Sequence, residues 1–445
     1  MTTAVIVGAH LGYDLSRVPL GGGGAVASAL IAHWAREGTF DLLVLGSGPI
    51  PPVDGVRYVR VEWEVPGEPD VPSSLSMRGY ASFCVQFSQG VTEHLRRLAA
   101  EVDPTSVCVV HNDVSEAPDF AAIRALGYRQ IGIFHVDVVD YVSRVYLRGA
   151  VRAPRLAWAY RGLERIGGHR YLPLIARLIF GKQEECVRHC DLLVVPSRGM
   201  AEVLQRSYPA ARGKVRVIPW GALVDPLPPG AGIPDIRARH GIAPHTPVLV
   251  TLSRISPEKG QDLLLKALRI WERKEREPLV VFICGAPAFM HGRRYFARLQ
   301  RLSRGLRRVR VHFPGYVAGA EKRAYLRAAD LYVFPSRHES YGLTLAEAMA
   351  AGLPVLTTDH RSARDLVRPQ FGAVVRPRPR DLYRGLVELL ADRGRLREMG
   401  ERAREFATGL GFGDAARALA RLIVALAEWE AAARGFVPDA RFPVE

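Results

Sequence analysis

Cysteine is scarce in this sequence, and long apolar runs are missing. Five cysteines stand among 445 residues: Cys84, Cys108, Cys186, Cys190 and Cys284. An odd, scattered set argues against a disulfide framework and points to a reducing compartment. Cys186 and Cys190 lie one helical turn apart. With no second Cys/His pair at zinc spacing, they read as small buried hydrophobes. The apolar runs, such as 192–195 and 279–284, fall far short of the roughly 20 residues that cross a bilayer. The opening MTTAVIVGAHLG has neither a basic region nor a cleavage site, so no secretory signal is expected. Neither G-x-G-x-x-G nor the Walker pattern occurs, which disfavours a dinucleotide or ATP loop. Asp-x-Asp is absent too, so no divalent ion held by paired carboxylates is expected, and neither a metal nor a cofactor is assigned.

What is present is ordinary for a folded chain. Hydrophobic residues are 48% and charged residues 24%, which excludes a disordered or fibrous protein. The length predicts two or three domains. Lys and Arg number 61 against 45 acids, a net charge of +16 that favours anionic partners: nucleotides, nucleic acid or acidic lipid headgroups. No nucleic-acid recognition motif accompanies this charge, so nucleic acid is an unfavoured partner.

Short β-branched runs alternate with amphipathic stretches, the pattern of parallel α/β sheets. Strands are expected near 4–8, 42–45, 106–111, 130–135, 191–196 and 215–219. A second series follows near 247–252, 278–285, 308–313, 330–334 and 353–359. Four glycines, 21–24, precede a helix in which Val26, Leu30 and Trp34 repeat at one-face spacing. Residues 222–235 are rich in Pro and Gly and read as a linker. The expected fold class is therefore α/β, two doubly wound Rossmann-like halves facing across a crevice, divided as 1–222 and 223–445. A long amphipathic helix at 415–434 could cross back to the first half.

Ligands of such sheets bind beyond the carboxyl ends of the strands. There the segment 330–359 runs from a strand through a polar loop to a helix opening at Leu343 and closed by Gly352 and Pro354. Glu339 falls in the loop and Glu347 one turn into the helix. A helix N-terminus suits a phosphate. A carboxylate near it can accept from a ribose diol, and one in the loop from the hydroxyls of another sugar. Upstream, Arg254 ends a strand and Lys259 lies in the following turn. Together they can stabilise a departing diphosphate without metal. In the first half His111 and His135 each close an apolar strand, which predicts that both face the crevice.

These residues resemble the retaining GT-B glycosyltransferases of family 4, also called glycosyltransferase group 1. LSRISPEKG is similar to that family's G-R-x-x-x-x-K-G phosphate loop, and SRHESYGLTLAEAMAAGLPVL to its E-x7-E segment. The resemblance implies donor-diphosphate contacts from Arg254 and Lys259, a ribose contact from Glu347, and a contact between Glu339 and the transferred sugar. It implies that Gly342, Leu343 and Thr344 present backbone N–H groups, and that Gly285, Tyr316 and Val317 flank the nucleobase. It aligns Gly21 and Gly22 with the family's glycine pair, and His135 with the histidine that reaches the donor sugar. Glu339, His135, Arg254 and Lys259 are thus the catalytic candidates. Two departures are Trp220 where Asn is usual, and TTDHRSARDLV without the usual Gly-Gly, where Asp365 can stand in for the following acid.

The implied activity is metal-independent transfer of a hexosyl group from a UDP- or GDP-sugar to an acceptor hydroxyl, with retention. The acceptor is a sugar, a lipid-linked sugar or a small molecule. Residues 145–182 interleave Arg with Tyr, Trp and Leu. Such a run is commonly a helix pair with basic solvated faces, and it also suits a segment lying on an anionic membrane. The expected location is the cytoplasm, with peripheral attachment at the inner membrane face as the variant. A nucleotide-sugar epimerase of the same fold is the alternative activity.

Overall fold

The computed structural model describes residues 2–14, 21–147, 149–223, 232–288 and 292–428. Most of the predicted linker and the predicted helix beyond 428 lie outside them. Among the described residues, thirteen strands form two wholly parallel sheets. The first holds β1 (Thr3–Gly8), β2 (Asp41–Gly46), β3 (Arg57–Arg60), β4 (Val107–His111), β5 (Arg129–Ile133), β6 (Leu192–Val195) and β7 (Val215–Val217), in the order β3-β2-β1-β4-β5-β6-β7. The second holds β8 (Val248–Leu252), β9 (Leu279–Cys284), β10 (Val309–Gly315), β11 (Leu331–Phe334), β12 (Val355–Thr358) and β13 (Gly372–Val375), in the order β10-β9-β8-β11-β12-β13.

The central strands are mostly apolar because helices cover both faces of each sheet; β8, β9 and β11 bury every residue. Sequence reasoning missed β3 and β13. Both are four-residue edge strands: β3 is bounded by Arg57 and Arg60, and β13 is an apolar run too short to stand out. The order reverses between β1 and β4 in one sheet and between β8 and β11 in the other. At each reversal the two following loops diverge and leave a crevice.

The glycine run differs from expectation. The helix begins at Gly22, three residues earlier than predicted, so the glycines form its first turn and Gly21, at φ +96°, its N-cap. Helix Phe412–Ala427 returns to the first lobe, where Trp34 Nε1 donates to Ala416 O at 3.0 Å. The two chain passages between the lobes touch each other. A Cβ on Gly221 would stand 2.1 Å from Leu410 O, and the residue's φ of +72° favours glycine.

Polar contacts also join the lobes. Ser197 Oγ donates to Ser340 O at 2.8 Å, Arg198 N–H to Asp365 Oδ2 at 2.7 Å, and Gly221 N–H to the Tyr341 hydroxyl at 2.7 Å. Asp365 therefore serves as a lobe-to-lobe acceptor. Arg361 grips Asp140 through two bonds of 2.7 and 3.0 Å. Burial pushes the Asp140 carboxyl up, but His338 and Arg361 outweigh it and hold the group well below the usual carboxylate range. Asp140→Ala, which leaves Arg361 facing no carboxylate, is expected to cost about 2–3 kcal/mol and lower the melting temperature by several degrees. An unchanged melting curve would show that the clamp contributes nothing.

Candidate active site

The crevice between the lobes is a cleft of about 590 Å³, the size of a small-molecule site. Its second-lobe wall is built from the loops after β8 and β11, the two strands at the reversal. The loop after β8 carries Arg254 and Lys259. Gln261 fixes this loop by donating to Ser253 Oγ at 2.9 Å and Arg254 O at 2.8 Å. The loop after β11 is fixed one residue at a time. Ser336 Oγ donates to His338 O at 2.9 Å. Arg337 forks onto Asp262 at 2.7 and 3.0 Å. His338 Nε2 lies 3.5 Å from Asp140 Oδ2 of the other lobe. Glu339 is then left pointing at Lys259, with Nζ to Oε2 at 2.6 Å.

That ion pair sets the charge of Glu339. Burial raises its pKa, yet the Lys259 ammonium and, more weakly, His360 and His338 pull it below the ordinary value, so the carboxylate is ionised. Lys259 also lies 5.9 Å from the centre of the Phe334 ring. An ammonium has three donors, so one bond to Glu339 leaves two for another acceptor.

The helix after Glu339 spans Leu343–Ala350, with Gly342 at its N-cap in the left-handed region, φ +94°. Its cap residue has no side chain to satisfy the first N–H groups, which open toward the cleft at Leu343 and Thr344. Thr344 Oγ1 is tied to the Tyr332 hydroxyl at 2.9 Å, and that hydroxyl donates to Leu252 O at 3.1 Å. Glu347 faces the cleft and meets Lys322 Nζ at 3.2 Å.

The first lobe reaches across at its glycines. A Cβ on Gly21 would stand 3.4 Å from the Arg254 guanidinium, one on Gly22 3.0 Å from Leu343, and one on Gly23 3.1 Å from the His135 ring. Side chains at Gly21 and Gly22 would fill the gap between the lobes, and one at Gly23 would press on His135 of the same lobe. His135 Nε2 bonds Asn112 Oδ1 at 2.7 Å, and Trp220 lies 5.7 Å away, ring centre to ring centre. Burial lowers the His135 pKa to about 4 against the opposing pull of Asp113, so the ring is neutral at pH 7.

The cleft thus brings together Gly21, Gly22, His135, Arg254, Lys259, Gly285, Tyr316, Val317, Glu339, Gly342, Leu343, Thr344 and Glu347. His111 is not among them. Its side chain turns into the first lobe, fully buried, with Nε2 on Gln130 Oε1 at 3.0 Å and its ring against Phe120. Burial lowers its pKa to about 3. Position after a strand could not separate the two histidines, because alternate residues of a strand face opposite sides. Sequence reasoning missed Lys322, Tyr141 and His338 as cleft residues. Lys322 lies on helix Gly319–Ala328, and only the sheet order brings it beside Glu347.

Two parallel sheets facing across a cleft define the GT-B glycosyltransferase fold. Solved structures of that fold cover nearly the whole chain. Sucrose-phosphate synthase from Thermosynechococcus elongatus superimposes with a TM-score of 0.69 at 18% identity, covering 95% of this chain and 98% of that one. Anabaena HepE in complex with UDP and glucose gives 0.65 at 16% identity, covering 95% and 99%. Residues 232–406 match the family described as Glycosyl transferases group 1. The D-inositol 3-phosphate glycosyltransferase of Nocardia farcinica is 32% identical over 241 residues, 53% of each protein. That of Streptomyces avermitilis is 36% identical over 189 residues, 41% of this chain and 40% of the relative. The chain spans about half the length of the curated relatives it matches.

Lys259→Met is expected to leave Glu339 buried without its cation and to cost about 2–4 kcal/mol at pH 7–8. In the wild type the depressed Glu339 pKa contributes stability above the ordinary value of 4.5 that is lost as pH falls through the folded value. In the variant burial alone acts and the pKa rises, so acidification relieves the penalty. The gap in melting temperature should therefore narrow from pH 8 to pH 5; a constant gap would refute the pairing.

Proposed function

We propose that the protein transfers a hexosyl group from a nucleotide diphosphosugar to an acceptor hydroxyl, with retention at the anomeric carbon and without a metal ion. The observation that carries this reading is the arrangement of the second-lobe wall: Arg254 and Lys259 at one end, Glu339 on Lys259, and Glu347 a helical turn beyond an uncapped helix start. The two cations suit the diphosphate, with the N–H groups of Leu343 and Thr344 beside it. Glu347 suits the ribose diol, and Glu339 the hydroxyls of the transferred sugar. Gly285, Tyr316 and Val317 lie where a nucleobase would rest. UDP in the HepE complex supports a nucleotide-sugar donor, and the names of the curated relatives support glycosyl transfer.

In the reaction the bond from the anomeric carbon to the β-phosphate oxygen breaks, and a bond to the acceptor oxygen forms on the same face. The acceptor proton passes to the departing phosphate. The protein's part is to position the reactants and to stabilise charge developing on the leaving group. With Nε2 committed to Asn112, His135 offers Nδ1 as an acceptor to a sugar hydroxyl. The relatives named above are transferases, which supports transfer over epimerisation or nucleic-acid binding. The acceptor is read as a sugar or a lipid-linked sugar.

A thermal-shift panel of UDP-, GDP- and ADP-sugars should show stabilisation by one nucleotide class. Arg254→Ala and Lys259→Ala are expected to lower donor turnover by about 10²–10³ in kcat/KM. Glu339→Ala should abolish most transfer, whereas Glu347→Ala should act mainly on donor KM, by about tenfold. Activity surviving Glu339→Ala, Arg254→Ala and Lys259→Ala would remove the site assignment.

A further inference from the structure

The first lobe carries a helical excursion after β5, comprising helices Ala153–Arg165 and Leu174–His189 joined by the turn Gly168–Tyr171. Seven of the fourteen large apolar side chains that are exposed among the described residues fall within 145–182. The extreme cases are Trp158, Ile166 and Tyr171, at 72%, 79% and 93% exposure. The same 38 positions hold eight Arg or Lys and a single acid, Glu164, so they supply +7 of the chain's net +16.

The two features share one surface. Helix Ala153–Arg165 buries Ala153, Ala157 and Tyr160 against its own lobe. The opposite face exposes Arg155, Trp158, Arg165 and, just past its end, Ile166. Arg161 is turned inward onto Glu184 at 3.1 Å and Ser207 O at 2.8 Å, and Glu164 is flanked by Arg188 at 3.6 Å. The outward face therefore mixes cations with exposed apolar side chains. It also continues to the reaction cleft, because the Tyr146 ring meets Tyr141, a cleft residue, at 5.9 Å.

We propose that this face, from Tyr146 to Leu174, docks on the surface of an anionic lipid bilayer. The apolar side chains would enter the headgroup and acyl boundary while the arginines reach back to lipid phosphates. A docked protein would ask for a dry apolar centre with charge at the rim. Here arginines and apolar side chains are interspersed on one helix face, so every arginine needs a polar layer within its own reach, which a headgroup region provides. The mode is lying on the membrane, since no helix among the described residues is long and apolar enough to cross one. Docking would hold the acceptor side of the cleft beside the lipid surface. That last point rests on the transfer reading and names the acceptor as a hydroxyl carried by a membrane lipid; the docking itself does not depend on it.

The test is co-sedimentation of the full chain with vesicles of phosphatidylcholine alone or with about 30 mol % phosphatidylglycerol, at low and physiological salt. Binding is expected to the anionic vesicles, weakening with salt. The triple substitution Trp158→Ser, Ile166→Ser, Tyr171→Ser should reduce partitioning roughly tenfold or more, and Arg155→Glu with Arg165→Glu by a similar factor. All five positions are exposed and outside the cleft, so the UDP- or GDP-sugar thermal shift should not change. Absence of binding at low salt, a triple variant that partitions like the wild type, or a dimer in size-exclusion chromatography that the triple variant abolishes would each overturn the proposal. Vesicle binding without any nucleotide-sugar shift would sink the transfer reading and leave the docking surface standing.

Discussion

A buried carboxylate must find a cation, and the pair formed by Lys259 and Glu339 is where this fold meets that demand. The two residues come from different loops, each following a strand at the point where the sheet order reverses. Their 2.6 Å contact draws those loops together and determines where both neighbours stand. Arg337 and His338, the two residues before Glu339, are anchored to Asp262 and Asp140, so the backbone delivers the carboxylate without freedom to swing. Every other cleft feature is placed relative to this knot. The helix start at Gly342 follows three residues later, and Glu347 one turn beyond it.

Much of this was legible in the sequence because it is local. A strand, a polar loop, a glycine and a helix lie within thirty consecutive residues, and Arg254 and Lys259 lie five apart on one loop. Local spacing fixes local geometry, so the second-lobe wall could be written down residue by residue. The two sheets were readable for the same reason, except for edge strands β3 and β13, which at four residues each are too short to give a clear pattern.

What escaped the sequence depends on pairing across distance. Asp140 and Arg361 stand 221 residues apart, and Lys322 reaches Glu347 only because β8 separates β9 from β11. His111 and His135 looked alike as residues closing apolar strands; strand facing sent one into the core and the other into the cleft. The glycine run was placed correctly but read as a loop. Its lack of side chains serves close approach between lobes as well as backbone freedom, as the short distances from Gly21 to Arg254 and from Gly22 to Leu343 make plain.

The contact between Gly221 and Leu410 has a mechanical meaning. Both covalent threads joining the lobes run through one spot, so the halves are articulated like the covers of a book at a single spine. Swinging apart must first undo the grip of Arg361 on Asp140, which makes that clamp a latch on the gape of the crevice. The rate at which reactants are exchanged would then be governed at a position whose residues touch neither of them.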